Sequence, residues 1–259
     1  MQTDDTTRAH ELLDTFAAHT RYRHGDANPH LARLRAATSL ERERVIAFLC
    51  TWWSFSRRTP QILLNAAAAY PEWSDRGLIM QNYLEEDGRM NPGDEPHYDL
   101  LERLIHKLGG TLTINPAAEK LIGRLMRLLG GMTAARATGV VSGFEHPALD
   151  ITNILLLVVE KAGFAELLET DIYLTIHVAV EPSHIVWAHG CSLRYMKMGS
   201  AEYAEVLSGF QDTMDFWSCF WDLAMADLFA PADEQEPVRI SDADDADAEA
   251  QVVVAMAAG

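Results

Sequence analysis

The stretch TDIYLTIHVAVEPSHIVWAHG, residues 170–190, carries His177, Glu181 and His184 inside a run that is otherwise apolar. Helical residues three and four apart share a face, so this spacing stacks two imidazoles and a carboxylate into one column about two turns long. The neighbours Leu174, Ile176, Val178, Val180, Ile185 and Trp187 predict little water nearby, where each polar group without a partner costs on the order of 1–3 kcal/mol. One buried histidine is most simply a hydrogen-bonded core residue. Two neutral imidazoles with a carboxylate on one face are a metal-ligand set. Pro182 removes one backbone hydrogen bond directly after Glu181, so a kinked or locally mobile helix is expected there.

Working outward, helical signals recur and alternating strand patterns are missing. A first helix is expected at 7–19, giving way at RYRHGDANPH. Thr38 with Glu41 has capping-box spacing and announces a second helix through ERERVIAFLCTWWSFSRR; Thr59 and Pro60 open a third, which Pro71 stops. Another, 75–86, ends at EEDG, where Gly88 suits a left-handed C-cap. Pro96, Pro116 and Thr133 open the next three, followed by ALDITNILLLVVEKAG, the segment 166–190, and a long helix to Phe229. The fold class is all-α, a bundle of seven to nine helices in a single domain, residues 1–229. Residues 230–259 hold eight acidic residues against one arginine and no aromatic, which predicts a disordered acidic tail.

Composition narrows the function. The 259 residues are 48% hydrophobic, enough for a substantial core, and 38 acidic residues outweigh 21 basic ones. That balance argues against nucleic acid and anionic membranes as partners. Cys50, Cys191 and Cys219 are odd in number and widely separated, which fits a reducing cytoplasm rather than a disulfide framework. No signal-peptide pattern or run of about 18 apolar residues is present, so a soluble, cytoplasmic protein is expected.

Other residues join the central column. Glu85 and Glu86 end one helix, His97 begins the next, and Glu145 precedes His146 in GVVSGFEHPAL. Taken one at a time they read as solvated charges. Together, Glu86, Glu145 and Glu181 with His97, His177 and His184 suffice for two adjacent metal ions, since helices around a bundle core aim such residues at a shared point. Oxygen and nitrogen donors without thiolate suit iron or manganese. Two divalent ions against three carboxylates leave one positive charge, which could hold a substrate carboxylate or a dioxygen-derived anion. A ferritin-like diiron bundle needs two Glu-x-x-His pairs; only Glu181 with His184 offers one, and His177 has no place in that pattern.

The residues resemble the heme-oxygenase-like diiron oxidases and oxygenases, relatives in fold of heme oxygenase and thiaminase II. In that family an acidic helix end in a stretch like Asn-Leu-Tyr-Asp-Glu-x-Gly is followed by a histidine, then a mid-chain glutamate, then His-x3-Asp-x2-His. Here NYLEEDG places Glu86 on the signature glutamate, His97 follows eleven residues later, Glu145 is the mid-chain residue, and HVAVEPSH supplies His177, Glu181 and His184. The resemblance spans residues 40–225. Glu181 stands where the family usually has Asp.

The resemblance implies a heme-oxygenase-like bundle holding two Fe(II) ions with O2 as co-substrate. It implies oxidation of an amino acid, fatty acid or small amine in specialised metabolism by desaturation, C–C cleavage, cyclisation or N-oxygenation. An external electron donor and a homodimer are both compatible with it. Arg194, ten residues past His184, is a candidate anchor for a substrate carboxylate. Trp52, Trp53, Phe55, Phe144 and Tyr173 are candidate pocket aromatics, and His146 and His189 candidate partners of the ligands. Two other readings stand beside it. One is a metal-free enzyme like thiaminase II with Cys191 as nucleophile. The other is a non-catalytic helical interaction protein.

Overall fold

Helix is the only regular structure among residues 2–25 and 27–229, which the computed structural model describes. The expected acidic tail, 230–259, lies outside the described residues. α1 (Gln2–His24) sets Leu12, Phe16, Thr20 and His24 four apart, and all four are buried along one stripe. That stripe meets α11 (Ser200–Phe229): Phe16 stacks on Phe210 with ring centroids 3.9 Å apart, and His24 stands edge-on to Trp217 and Trp221.

Asn28 then caps α2 (Pro29–Ala36), accepting from the His30 backbone N–H at 2.9 Å. An asparagine before a first-turn proline is a helix start, so the segment expected as a connection contains a short helix that buries Leu31 and Leu34. The expected cap at Thr38 is displaced. Leu40 donates its N–H to the Lys161 carbonyl at 2.8 Å, which holds this segment out of helix until α3 (Arg42–Ser56), whose N-cap is Glu41. α4 (Thr59–Ala68) carries Pro60 in its first turn and ends before Pro71.

α5 (Trp73–Glu86) stops where expected. Gly88 takes φ 64°, and Arg89 donates to the Leu84 carbonyl at 2.7 Å, a left-handed C-terminal closure that glycine adopts without a Cβ clash. A Cβ at Gly88 would run into the backbone of Glu95 and Pro96. That close return brings α6 (His97–Lys107) back beside the end of α5.

Asn115 caps α7 (Pro116–Leu129), Thr133 caps α8 (Ala134–Glu145), and α9 (Ala148–Lys161) follows. After a short 3-10 turn, Ala165–Leu167, the buried Asp171 caps α10 (Ile172–Met198) by accepting from the Tyr173 N–H at 3.0 Å. Lys107 pairs with the same carboxylate at 2.7 Å. α10 runs unbroken through Pro182 and Gly190, so the neighbouring helices hold the chain helical where a proline would otherwise end it.

α8 packs tightly on α11. A Cβ on Gly139 would strike the Val206 carbonyl, and one on Gly209 the Arg136 carbonyl. With the backbones this close, Thr213 donates to the Val140 carbonyl at 3.0 Å and Trp217 to the Gly143 carbonyl at 3.1 Å. α8 also meets α10, where Ser142 and Ser192 share a 2.7 Å hydrogen bond. These contacts leave the end of α8 facing the middle of α10. Among the described residues no helix is long and apolar enough to cross a membrane.

Candidate metal centre

Four helix segments deliver six side chains to one place. Glu86 ends α5, His97 begins α6, Glu145 ends α8, and His177, Glu181 and His184 lie on α10. The six fall into two trios, Glu86 with His97 and His177, and Glu145 with Glu181 and His184. Within each trio one donor atom per residue lies within 4.8 Å of the others. Donors bound to one ion at about 2.1 Å are roughly 3.0–4.2 Å apart, so side-chain adjustment within either trio would complete a shell.

The first trio offers nitrogen and oxygen donors that could hold a cation. His177 Nδ1 donates to the Tyr173 carbonyl at 2.7 Å, which fixes the tautomer and leaves Nε2 as a free lone pair. His97 Nδ1 sits 3.1 Å from Glu86 Oε1, yet the two are off the line of a hydrogen bond and the buried nitrogen has no hydrogen-bond partner. Two polar atoms that stand side by side without bonding are arranged for a third body between them. Burial would raise the Glu86 carboxyl, but the charge of His97 beside it, with His184 beyond, holds it well below the usual carboxylate range. Burial lowers His177, and the neighbouring His97 adds to that effect, keeping the imidazole in the neutral form that binds metal.

The second trio is richer in negative charge. His184 Nδ1 stands 3.5 Å from Glu181 Oε2 and 3.6 Å from Glu145 Oε2. The amide of Asn82, on α5, donates to Glu145 Oε1 at 2.7 Å. Burial, then the nearby Glu181 and Glu86 charges, push the Glu145 carboxyl up. Burial would lower His184, but the carboxylates of Glu181, Glu145 and Glu85 outweigh it and lift the ring to about 10. A metal entering this trio competes with protons for the imidazole and the carboxylates, so its binding weakens on acidification. The donor chemistry fits iron: carboxylates and imidazoles in a low-dielectric pocket, without thiolate.

Five of the six line a cavity of about 80 Å³, several times the roughly 10–15 Å³ that one water needs. Its other lining is mainly apolar, from the rings of Trp52, Phe55, Phe144, Tyr173 and Trp217 and the side chains of Ile62, Leu63, Ile151 and Leu155; Ser56, Thr59 and Thr152 add hydroxyls. Trp52 donates to the Tyr173 hydroxyl at 2.6 Å, fixing both rings.

Several residues expected here are elsewhere. Arg194 does not line the cavity: it pairs with the buried Asp75, since α10 turns it to the α5 side of the bundle. Trp53 donates to the Tyr98 carbonyl at 3.0 Å under the Arg57 guanidinium. His146 and His189 bond one another, nitrogen to nitrogen, at 2.5 Å rather than touching the six. Cys191 is buried away from the cavity, and burial pushes its thiol up to about 11. Asn82 and Trp217 escaped the sequence reading; Asn82 stands one turn before Glu86 on the same face, which was the available signal.

An all-α bundle with paired carboxylate and histidine trios around an apolar cavity defines a class of metal-dependent redox proteins. The chain belongs to the iron-containing redox enzyme family, whose model matches residues 46–218. Its fold is heme-oxygenase-like. A crystal structure of a CADD-like protein of unknown function from Nostoc punctiforme at 2.00 Å resolution is 17% identical with a TM-score of 0.66, over 83% of this chain and 98% of that one. The 1.35 Å structure of a CADD-like protein from the same organism gives 17% identity and a TM-score of 0.63, over 89% of this chain and 98% of that one. No curated protein sequence matches significantly.

Proposed function

We propose that the chain is a non-heme diiron oxidase or oxygenase that uses O2 to oxidise a small amino acid, or a related carboxylate or amine, by desaturation, C–C cleavage, cyclisation or N-oxygenation. The observation that carries this reading is the pair of nitrogen and oxygen trios on one apolar cavity. Glu86, His97 and His177 would hold one iron; Glu145, Glu181 and His184 would hold the other. The bound irons supply O2 binding and the oxidising equivalents.

The protein's own share is orientation and exclusion of water. The Tyr173 carbonyl aims His177, Asn82 holds Glu145, and the aromatic rings leave most of the remaining lining apolar. No lysine or arginine lines the cavity among the described residues, so the anchor for a substrate carboxylate is the net positive charge of two divalent ions against three carboxylates. An apolar side chain fits the remaining walls. The reading places the enzyme in the cytoplasm, in specialised metabolism, with a small-molecule substrate and an external electron donor.

The test is anaerobic loading with Fe(II), exposure to O2 with a panel of free amino acids, aliphatic carboxylates and amines, and mass spectrometry of the products. The expected result is an iron-dependent mass change in at least one substrate, a gain of oxygen or a loss of two hydrogens or of a carbon fragment. No substrate-dependent O2 uptake across the panel would contradict the reading. A metal-free reaction through Cys191 is disfavoured by the placement of that thiol outside the cavity.

A further inference from the structure

We infer that Glu85 is the positioning residue of the second metal trio: its carboxylate takes the Nε2–H of His184 and thereby turns Nδ1 of that ring to the metal. The inference rests on the diiron reading and adds a role that none of the six ligands fills. Glu85 Oε2 lies 2.7 Å from His184 Nε2. On the other edge of the same ring, Nδ1 faces Glu181 and Glu145 at 3.5 and 3.6 Å. A ring held at one nitrogen by a carboxylate has a fixed tautomer and a fixed lone-pair direction at the other. Glu85 is therefore the outer partner, and its side chain is 24% exposed where those of His184 and Glu181 are 9%.

Two consequences distinguish this arrangement. Two of the α10 histidines present opposite nitrogens: His177 is held at Nδ1 by the Tyr173 carbonyl and offers Nε2, whereas His184 is held at Nε2 and offers Nδ1. The last turn of α5 also serves both ions, Glu86 as a ligand of one and Glu85 as the orienting group of the other. Consecutive helical residues point about 100° apart, so one turn, stopped by the Gly88 closure, can address two sites.

The experiment is anaerobic titration of the full chain, Glu85→Ala and Glu85→Gln with Co(II), counting ions bound per chain, with circular dichroism to confirm helix content. Glutamine keeps an oxygen that accepts from Nε2–H; alanine does not. In the wild type two ions are expected. Glu85→Ala should keep the first ion at unchanged affinity and bind the second about 10–100-fold more weakly, the usual effect of losing such a partner; Glu85→Gln should recover most of that loss. In the Co(II)-loaded wild type and glutamine variant, proton NMR should show a hyperfine-shifted, slowly exchanging imidazole N–H that the alanine variant lacks.

Two ions bound at wild-type affinity by Glu85→Ala would overturn the assignment. A glutamine variant as weak as alanine would overturn it too, making Glu85 a direct ligand. Equal weakening of both ions would contradict its selectivity. A wild-type chain that binds no metal would remove the diiron reading and this assignment with it.

Discussion

Glu145→Gln is expected to move stability and metal binding in opposite directions. In the metal-free fold the Glu145 carboxyl is buried beside Glu181 and Glu86 and raised above its ordinary value. The folded chain therefore holds a proton that the unfolded chain has already released. Stability is whole below the ordinary carboxylate value and falls as pH climbs from there through the raised one. Glutamine has the same shape and keeps an oxygen for the Asn82 amide, but carries no charge. In chemical denaturation of metal-free protein at pH 9 the variant should gain stability relative to the wild type, because it lacks the fall that the raised Glu145 carboxyl imposes as pH rises. The gain should shrink at pH 5.

Metal affinity of the same trio should fall by more than about 100-fold, beyond what loss of an outer partner costs. A substitution that stabilises the fold while removing the ion marks a group kept for chemistry rather than packing. A variant less stable at every pH, or one with unchanged affinity, would contradict the assignment of Glu145.

The second large effect lies at the α8–α11 approach. A Cβ at Gly139 or Gly209 meets a backbone carbonyl of the facing helix, and a carbonyl cannot swing aside as a side chain can. Gly139→Ala and Gly209→Ala should each destabilise by about 3 kcal/mol, the upper end of the overpacking range, despite the better helix propensity of alanine. Because Glu145 ends α8, the shift should also loosen the second metal trio. Gly190→Ala is the control: nothing lies within 4 Å of that position on α10, so it should gain on the order of 0.5–1 kcal/mol. Thermal denaturation of the three variants reads both signs, and a neutral Gly139→Ala would show that the helices are not packed to backbone contact.

Much of this site was legible from the chain alone, for identifiable reasons. The 177, 181, 184 column follows from helical period within one element, and the link from Glu86 to His97 is short, closed by a glycine whose left-handed turn is a local signal. The place of Glu145 depends on how α8 meets α10 and α11, through Ser142, Gly139 and Thr213. No local pattern encodes that contact. Arg194 shows the limit from the other side: the helical register put it near the site, and the buried Asp75, 119 residues away in the chain, took its charge. The same limit hid Trp217, which reaches the cavity from α11. α2 differs in kind: Asn28 and Pro29 are a local helix start, but the eight-residue helix is too short to show a helical period.

The most direct measurement is the iron count of the full chain after anaerobic reconstitution, with Mössbauer spectroscopy of the bound ions, beside a His177→Ala, His184→Ala double variant. Two high-spin ferrous ions per chain in the wild type, both lost in the double variant while helix content is kept, is the predicted result. No iron uptake, or iron bound equally well by the double variant, would contradict it.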